Sequence, residues 1–217
     1  MKILCLIIDS HGPWYETYAT HRRLWNAVLD RTPDVEGYFL RSDPNIATDC
    51  VVEGRRFVVR GAERYDTILA KSLKAVEVLL GDHAYVLRTN LSSLYDFPLL
   101  RRMNLPTTNC YAGCVALAEG ISYVSGSGML LSPDVARKLF PAPDPSTLNP
   151  WDDVAIGQIL GSRGVPLTEI ARYDWDYSRS DDQVEVGRYV QYRLRDQDQH
   201  RIRERAVAEQ LFARVYP

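Results

Sequence analysis

Ile3 to Ile8, inside the stretch KILCLIID, form a row of six apolar side chains with no polar interruption. A strand with one solvated face alternates apolar and polar residues, whereas an unbroken row needs apolar cover on both faces. The segment therefore reads as an interior strand of a mostly parallel central sheet flanked by helices, in the α/β class. The polar turn SHGPW that follows marks its carboxyl end.

The rest of the chain alternates helical and extended patterns. From Tyr15 to Leu29, the residues Tyr18, Leu24, Trp25, Val28 and Leu29 recur at roughly helical spacing, and RTPD stops the helix. VEGYFLR and RRFVVRG read as short strands. In YDTILAKSLKAVEVLLGDH, Ile68, Leu69, Leu73, Val76 and Leu80 share one helical face, with Asp66 or Thr67 as N-cap and Gly81 as the stop. The strand AYVLR follows at once, the order expected of crossover helices in an α/β sheet. After FPLLRRMNLP come the Gly- and Ser-marked ISYVSGSGMLLSPDVARKLF and the Pro-rich PAPDPSTLNP. A helix, WDDVAIGQILGSRGV, follows with Ala155, Ile156, Ile159 and Leu160 as its apolar stripe. A stretch from Asp174 alternates polar and aromatic residues, and HRIRERAVAEQLFARVY closes the chain as an amphipathic helix. No internal repeat or low-complexity linker divides residues 1–217, so one domain is expected.

Charge narrows the partners. The 217 residues carry 26 Lys and Arg against 28 Asp and Glu, a formal −2. No global field draws such a chain to nucleic acid or to an anionic membrane, so phosphate groups must be caught by local clusters. No apolar stretch reaches the roughly 18–20 residues of a membrane span, and MKILCLIIDS lacks a signal peptide's cleavage site. A soluble, cytoplasmic protein is expected. Cys5, Cys50, Cys110 and Cys114 lie among apolar neighbours without metal-site spacing, and reduced thiols are expected.

Three blocks in fixed order, AERYDTILAKSLKAVEVLLGDHAYVLRTN, SYVSGSGMLLSPDVARKLF and WDDVAIGQILGSRGVPL, resemble the core of the family 31 glycosyltransferases, the β-1,3-galactosyltransferase and Fringe-like enzymes. THRRLW is similar to that family's early Arg-rich helix ending in Trp, and the likeness covers roughly residues 1–170. It implies a GT-A fold; the compact size departs from the family's Golgi members and suits a short, stand-alone viral, phage or bacterial enzyme. Residues 1–100 would be the nucleotide-binding half and 101–217 the acceptor half with the C-terminal helix. It further implies a hexosyl-type transferase with a UDP-sugar donor, a glycan or glycoconjugate acceptor, and inversion at the transferred carbon.

A donor of this kind would lie over the carboxyl ends of the parallel strands. Asp9, Ser10 and His11 stand just past the first strand, where a base or ribose would be held. Arg22, Arg23 and Lys71 are candidates for the diphosphate, as guanidinium and ammonium groups commonly are, and Lys71 matches the family's donor-site lysine by position. Asp153, directly before Val154, is by resemblance the general base that takes the acceptor hydroxyl's proton, with Asp152 orienting it or touching donor-sugar hydroxyls. Adjacent acids also favour a helix start through the macrodipole. Ser125, Gly126, Ser127 and Gly128 match a strand lining the acceptor and donor-sugar pocket. The same glycines lack the Lys-Ser/Thr ending of a phosphate loop. Trp151, Tyr173, Trp175 and Tyr177 offer faces for stacking on sugar rings, or ordinary packing.

The likeness departs from the family at one place. Where the family's acidic triplet supplies carboxylates to Mn²⁺ or Mg²⁺, this chain has Asn90, Leu91 and Ser92. Three readings stand. Other oxygens, with Asp96 as a candidate and His200 as a late ligand, hold the metal together with Asn90 and Ser92. Alternatively Arg88 and Lys71, with Arg193 and Arg195 closing over the donor, neutralise the charge without a metal. In the third, the chain is a catalytically silent GT-A domain that binds glycans or scaffolds an assembly.

Overall fold

The computed structural model describes residues 1–10, 16–176, 178, 184–195 and 201–217; His11, Tyr177 and His200 lie outside the described residues. Strand β1 (Ile3–Ile8) is buried along its whole length and pairs in parallel with β2 (Val35–Asp43) on one side and β5 (Tyr85–Asn90) on the other. Successive side chains of a strand point to opposite faces, so Ile3, Cys5 and Ile7 enter one core and Leu4, Leu6 and Ile8 another. The first core is closed by α1 (Ala19–Arg31), through Leu24, Trp25 and Val28, and by α6 (Ile202–Val215), through Val207 and Leu211. The second is closed by α2 (Ile68–Leu79), through Ile68 and Val76, and by α5 (Asp152–Ser162), through Ile156, Ile159 and Leu160. Full burial of one such side chain contributes about 1.5–3 kcal/mol. The unbroken apolar row thus lets one strand anchor both helical layers.

Among the described residues, eight strands form the main sheet in the order β3 (Cys50–Glu53), β4 (Arg56–Arg60), β2, β1, β5, β8 (Ile121–Leu131), β7 (Tyr111–Ala118), β9 (Thr168–Glu169). The run β4, β2, β1, β5 is parallel throughout, joined by the crossovers through α1 and α2. Strand β8 is antiparallel to both of its neighbours, and β3 is antiparallel to β4. The mostly parallel α/β sheet flanked by helices that the sequence predicts is the one observed.

A smaller sheet, in the order β10 (Arg172–Asp176), β11 (Gln191–Arg195), β6 (Ser93–Tyr95), stands beside the first. Leu91 and Ser92 alone separate β5 from β6, so the triplet position is the corner at which the chain leaves one sheet and enters the other. The short helices α3 (Phe97–Arg102) and α4 (Pro133–Arg137) complete the layers.

Several local expectations need adjusting. Helix α1 begins at Ala19 rather than Tyr15 and runs two residues past Leu29. Thr67 holds the N-cap position of α2, but its hydroxyl donates back to the carbonyls of Arg64 and Ala62 across a preceding 3₁₀ turn rather than capping the helix. The buried face of α2 includes Lys71 and Ser72, while Leu69 and Leu73 are only half-buried. The polar-aromatic stretch after Asp174 contributes β10 and β11, because its alternation places Tyr173 and Trp175 inside and the charged residues outward. All four cysteines are free thiols.

Candidate active site

Strands β1 and β5 end side by side, Ile8 against Asn90. In open α/β sheets, ligands lie in the crevice beyond such carboxyl ends. Here the crevice is a cavity of about 310 Å³ reached by Ile8, Asn90, Ser125–Ser127, Asp152, Asp153, Arg193 and Arg195.

The amino end of α5 delivers the two acids. The first turn of a helix leaves N–H groups without intrahelical partners and carries a partial positive charge, which suits carboxylates. The two take different settings. Asp152 is buried and ion-paired with Arg88, which reaches across from β5 and also donates to the Gly126 carbonyl. Burial pushes the Asp152 carboxyl above its ordinary range; the Arg88 guanidinium opposes that and Asp153 adds to it. Asp153 is half-buried, accepts from the Gly126 N–H at 2.8 Å through Oδ2 and from the Val154 N–H at 3.0 Å through Oδ1, and faces the cavity. One acid is held inside the wall, and the other is positioned by backbone donors at its surface.

The glycines of β8 explain themselves at this point. A Cβ on Gly126 would fall on the Arg88 guanidinium and press on Asp153, and one on Gly128 would collide with the Tyr95 hydroxyl and Gln191. The close approach that SGSG permits is taken up by these side chains of the protein itself. Ser125 and Ser127 accept from Arg172 Nη1 at 3.0 and 2.6 Å, and Ser127 also accepts from Gln191 Nε2 at 3.0 Å, which ties the smaller sheet to β8.

A second cavity, about 760 Å³, adjoins the first and is lined by Tyr18, Ser92, Arg172, Asp174, Trp175, Asp176, Arg193, Arg195 and Arg201 among others. Arg193 and Arg195 line both cavities. They are two apart on β11 and so share a face. Arg172 Nε donates to Asp174 Oδ2 at 3.0 Å. The Arg193 guanidinium is held down to about 10, first by burial and then by the positive charges of Arg195 and Arg172.

The candidates from the first half of the chain are arranged differently. Asp9 is buried, accepting from Arg22 Nε at 2.7 Å and from Arg41 Nη2 at 2.5 Å. Lys71 is fully buried, with Nζ donating to Ser10 Oγ at 2.9 Å and to Glu63 Oε1 at 2.6 Å. Burial weakens the hold of Lys71 on its proton, against the pull of Glu63. Arg23 pairs with Glu209 at the surface. Trp151 is half exposed at the start of α5, and Trp175 is completely buried.

The residues at the triplet position do not suit a divalent cation. Asn90 Oδ1 accepts from the hydroxyls of Ser92 and Ser93 at 3.0 and 3.1 Å, so the corner satisfies itself. Asp96 is buried and caps α3, accepting from the Leu99 N–H at 2.7 Å. Mn²⁺ and Mg²⁺ are hard cations that take carboxylate oxygens, and among the described residues no three Asp, Glu, His or Cys side chains are grouped to hold one. No helix among the described residues is long and apolar enough to cross a membrane.

Sequence reading missed Arg172, Arg41 and Glu63, as well as Tyr123, which lines the smaller cavity. The first three act through partners 8 to 47 residues away, a distance no local pattern carries. Arg172 alone left a signal, as the start of the alternation RYDWD.

No family model matches the chain, and no curated protein matches it. Among solved structures, it is similar to the galactosyltransferase LgtC in complex with donor and acceptor sugar analogues. That match has 15% identity and a TM-score of 0.49, and covers 100% of this chain and 97% of that one. An active-site mutant of LgtC matches at the same identity and score, over 98% and 95% of the two chains. At such identity the roles of individual residues rest on the chemistry of the site itself.

Proposed function

We propose that the chain is a GT-A glycosyltransferase that moves a monosaccharide from a nucleotide sugar to a hydroxyl of a glycan acceptor. The observation that carries this reading is Asp153, fixed by the Gly126 N–H at the edge of a cavity that Arg193 and Arg195 also line. A carboxylate and two guanidinium groups thus border one space beyond the carboxyl ends of parallel strands. In the reaction proposed, the acceptor hydroxyl gives its proton to Asp153 as its oxygen attacks the anomeric carbon. The bond from that carbon to the diphosphate oxygen breaks, its electron pair leaves with the nucleotide, and the configuration inverts. Asp152, neutralised by Arg88, is a positioning residue for the amino end of α5.

The family 31 likeness of the ordered blocks supplies the finer terms of the reading: a UDP-sugar, residues 1–100 as the nucleotide half and 101–217 as the acceptor half. Ser125, Ser127 and the exposed ring of Trp151 are then the sugar-side contacts.

The test is donor turnover: incubation of the protein with UDP-glucose, UDP-galactose and GDP-mannose, with free nucleotide release read by mass spectrometry. Release that Asp153→Asn abolishes supports the reading. A second reading, a silent glycan-binding or scaffolding module, is favoured by the self-satisfied corner at Asn90, Ser92 and Ser93. It predicts glycan or nucleotide binding with no release.

A further inference from the structure

We propose that Arg193 and Arg195, with Arg172 beside them, hold the two phosphates of a nucleoside-diphosphate ligand directly, in the place a divalent cation would take; this rests on the glycosyltransferase reading above. Two independent observations converge on it. At the triplet corner, the available oxygens are an amide and hydroxyls that bond one another, and the nearest carboxylate on that strand path, Asp96, is committed to capping α3. Beside that corner Arg172, Arg193 and Arg195 line the larger cavity together, and Asp174 is bonded to Arg172. Arg193 and Arg195 form no ion pair among the described residues, and the Arg193 Nε is buried with no hydrogen-bond partner.

The geometry favours an extended anion over a point ligand. Ser92 lines the larger cavity and Asn90 the smaller, while Arg193 and Arg195 line both. An anion passing the corner from one cavity to the other therefore meets both guanidinium groups. Planar guanidinium forks suit phosphate oxygens, and the two ionised oxygens of a nucleoside diphosphate sugar match the two unpaired guanidinium groups in charge. Arg172 is steadied by Asp174, Ser125 and Ser127 and adds a third positive group. Asp153 lines the smaller cavity from α5, so with the phosphates held at β11 the sugar lies toward α5. Burial, and after it repulsion from Arg195 and Arg172, lowers the Arg193 proton affinity, and the repulsion is relieved when an anion arrives.

The experiment is calorimetric titration of UDP and UDP-glucose into the full chain, once with EDTA and once with Mn²⁺, for wild type, Arg193→Ala and Arg195→Ala. Arg195 is exposed, so its removal leaves the fold intact. Binding in EDTA is expected within about twofold of that in Mn²⁺, and each substitution is expected to weaken it about ten- to a hundredfold, as loss of a charged hydrogen bond does. The affinity of wild type falls as NaCl is added, and that of Arg195→Ala falls less steeply. UDP binding that appears only with Mn²⁺, or variants that match wild type in affinity and salt dependence, overturns the inference and leaves the glycosyltransferase reading standing. No binding of UDP or UDP-glucose in either condition, with no release from any donor, removes both.

Discussion

Two groups of charges flank the same crevice and are built on opposite plans. On the β1 side, Asp9 is matched by Arg22 and Arg41, and Lys71 by Glu63 and Ser10, all at short range and in largely buried settings. On the β11 side, Arg193 and Arg195 form no ion pair among the described residues, and the hydrogen bonds of Asp153 among them come from backbone donors. A buried charge left unpaired is costly, and a charge paired inside the protein has little left to offer a ligand. The first group therefore holds the strand ends in place, and the second is available for chemistry. Residue type alone suggests Lys71 and Arg22 for the phosphates; the pairing leaves Arg193 and Arg195 as the groups proposed for them.

The largest expected effect sharpens this contrast on its open side. Asp153→Asn keeps the size of the side chain but accepts through one oxygen where Asp153 accepts through two, and it cannot take a proton. Turnover of a nucleotide sugar should fall about 10²–10⁴-fold, the usual contribution of general acid–base catalysis, while UDP affinity stays within a few fold. Initial rates at saturating donor, measured beside the binding constant, check it. Unchanged turnover would move Asp153 to the structural side of the comparison.

On the closed side, the expected effect is on stability. Asp9→Ala removes the buried carboxylate to which Arg22 and Arg41 both donate, a change that costs about 3–5 kcal/mol in other buried pairs. In a domain of this size, 1 kcal/mol moves Tm by about 2–4 °C, so thermal denaturation should show a loss near 10 °C. Arg195→Ala, on the open side, should move Tm by no more than about 2 °C, as exposed substitutions do. Equal losses for the two variants would break the distinction between the groups.

How much of this was legible in the sequence follows from the range of each interaction. The β1 row is legible because six neighbouring side chains carry the information together. The helices α2 and α5 are legible through their apolar spacing, and the acids Asp152 and Asp153 through their place before Val154. The loss of carboxylates at Asn90 and Ser92 can be read directly. The partners of Lys71 cannot, since Ser10 lies 61 residues away and only the packing of α2 against β1 brings it near. The same holds for Arg88 and Asp152, 64 residues apart. The second sheet escaped sequence reading for another reason. Its strands β10 and β11 are short, rich in charge and separated by a long connection, so their alternation resembles a polar tail until the Tyr173 and Trp175 rings are seen to be buried.

Asp152 sits between the two plans and gives the smallest and most discriminating effect. Its carboxyl is raised by burial more than Arg88 lowers it, so in the folded protein it holds its proton to a higher pH than it does unfolded. Between the ordinary carboxylate pKa and the raised one, the folded state binds more protons, and stability contributed by this group is lost as pH rises. Below that window the carboxyl is neutral in both states and the contribution is complete. Asp152→Asn, neutral at every pH, has no such slope. The difference in Tm between wild type and this variant should therefore favour wild type most at the acid end and shrink as pH rises through the window, with every other carboxylate cancelling in the comparison. A difference that instead grows with pH would mean that the Arg88 ion pair outweighs burial. Asp152 would then belong with Asp9 among the charges that hold the fold, and not with the strained edge of the site.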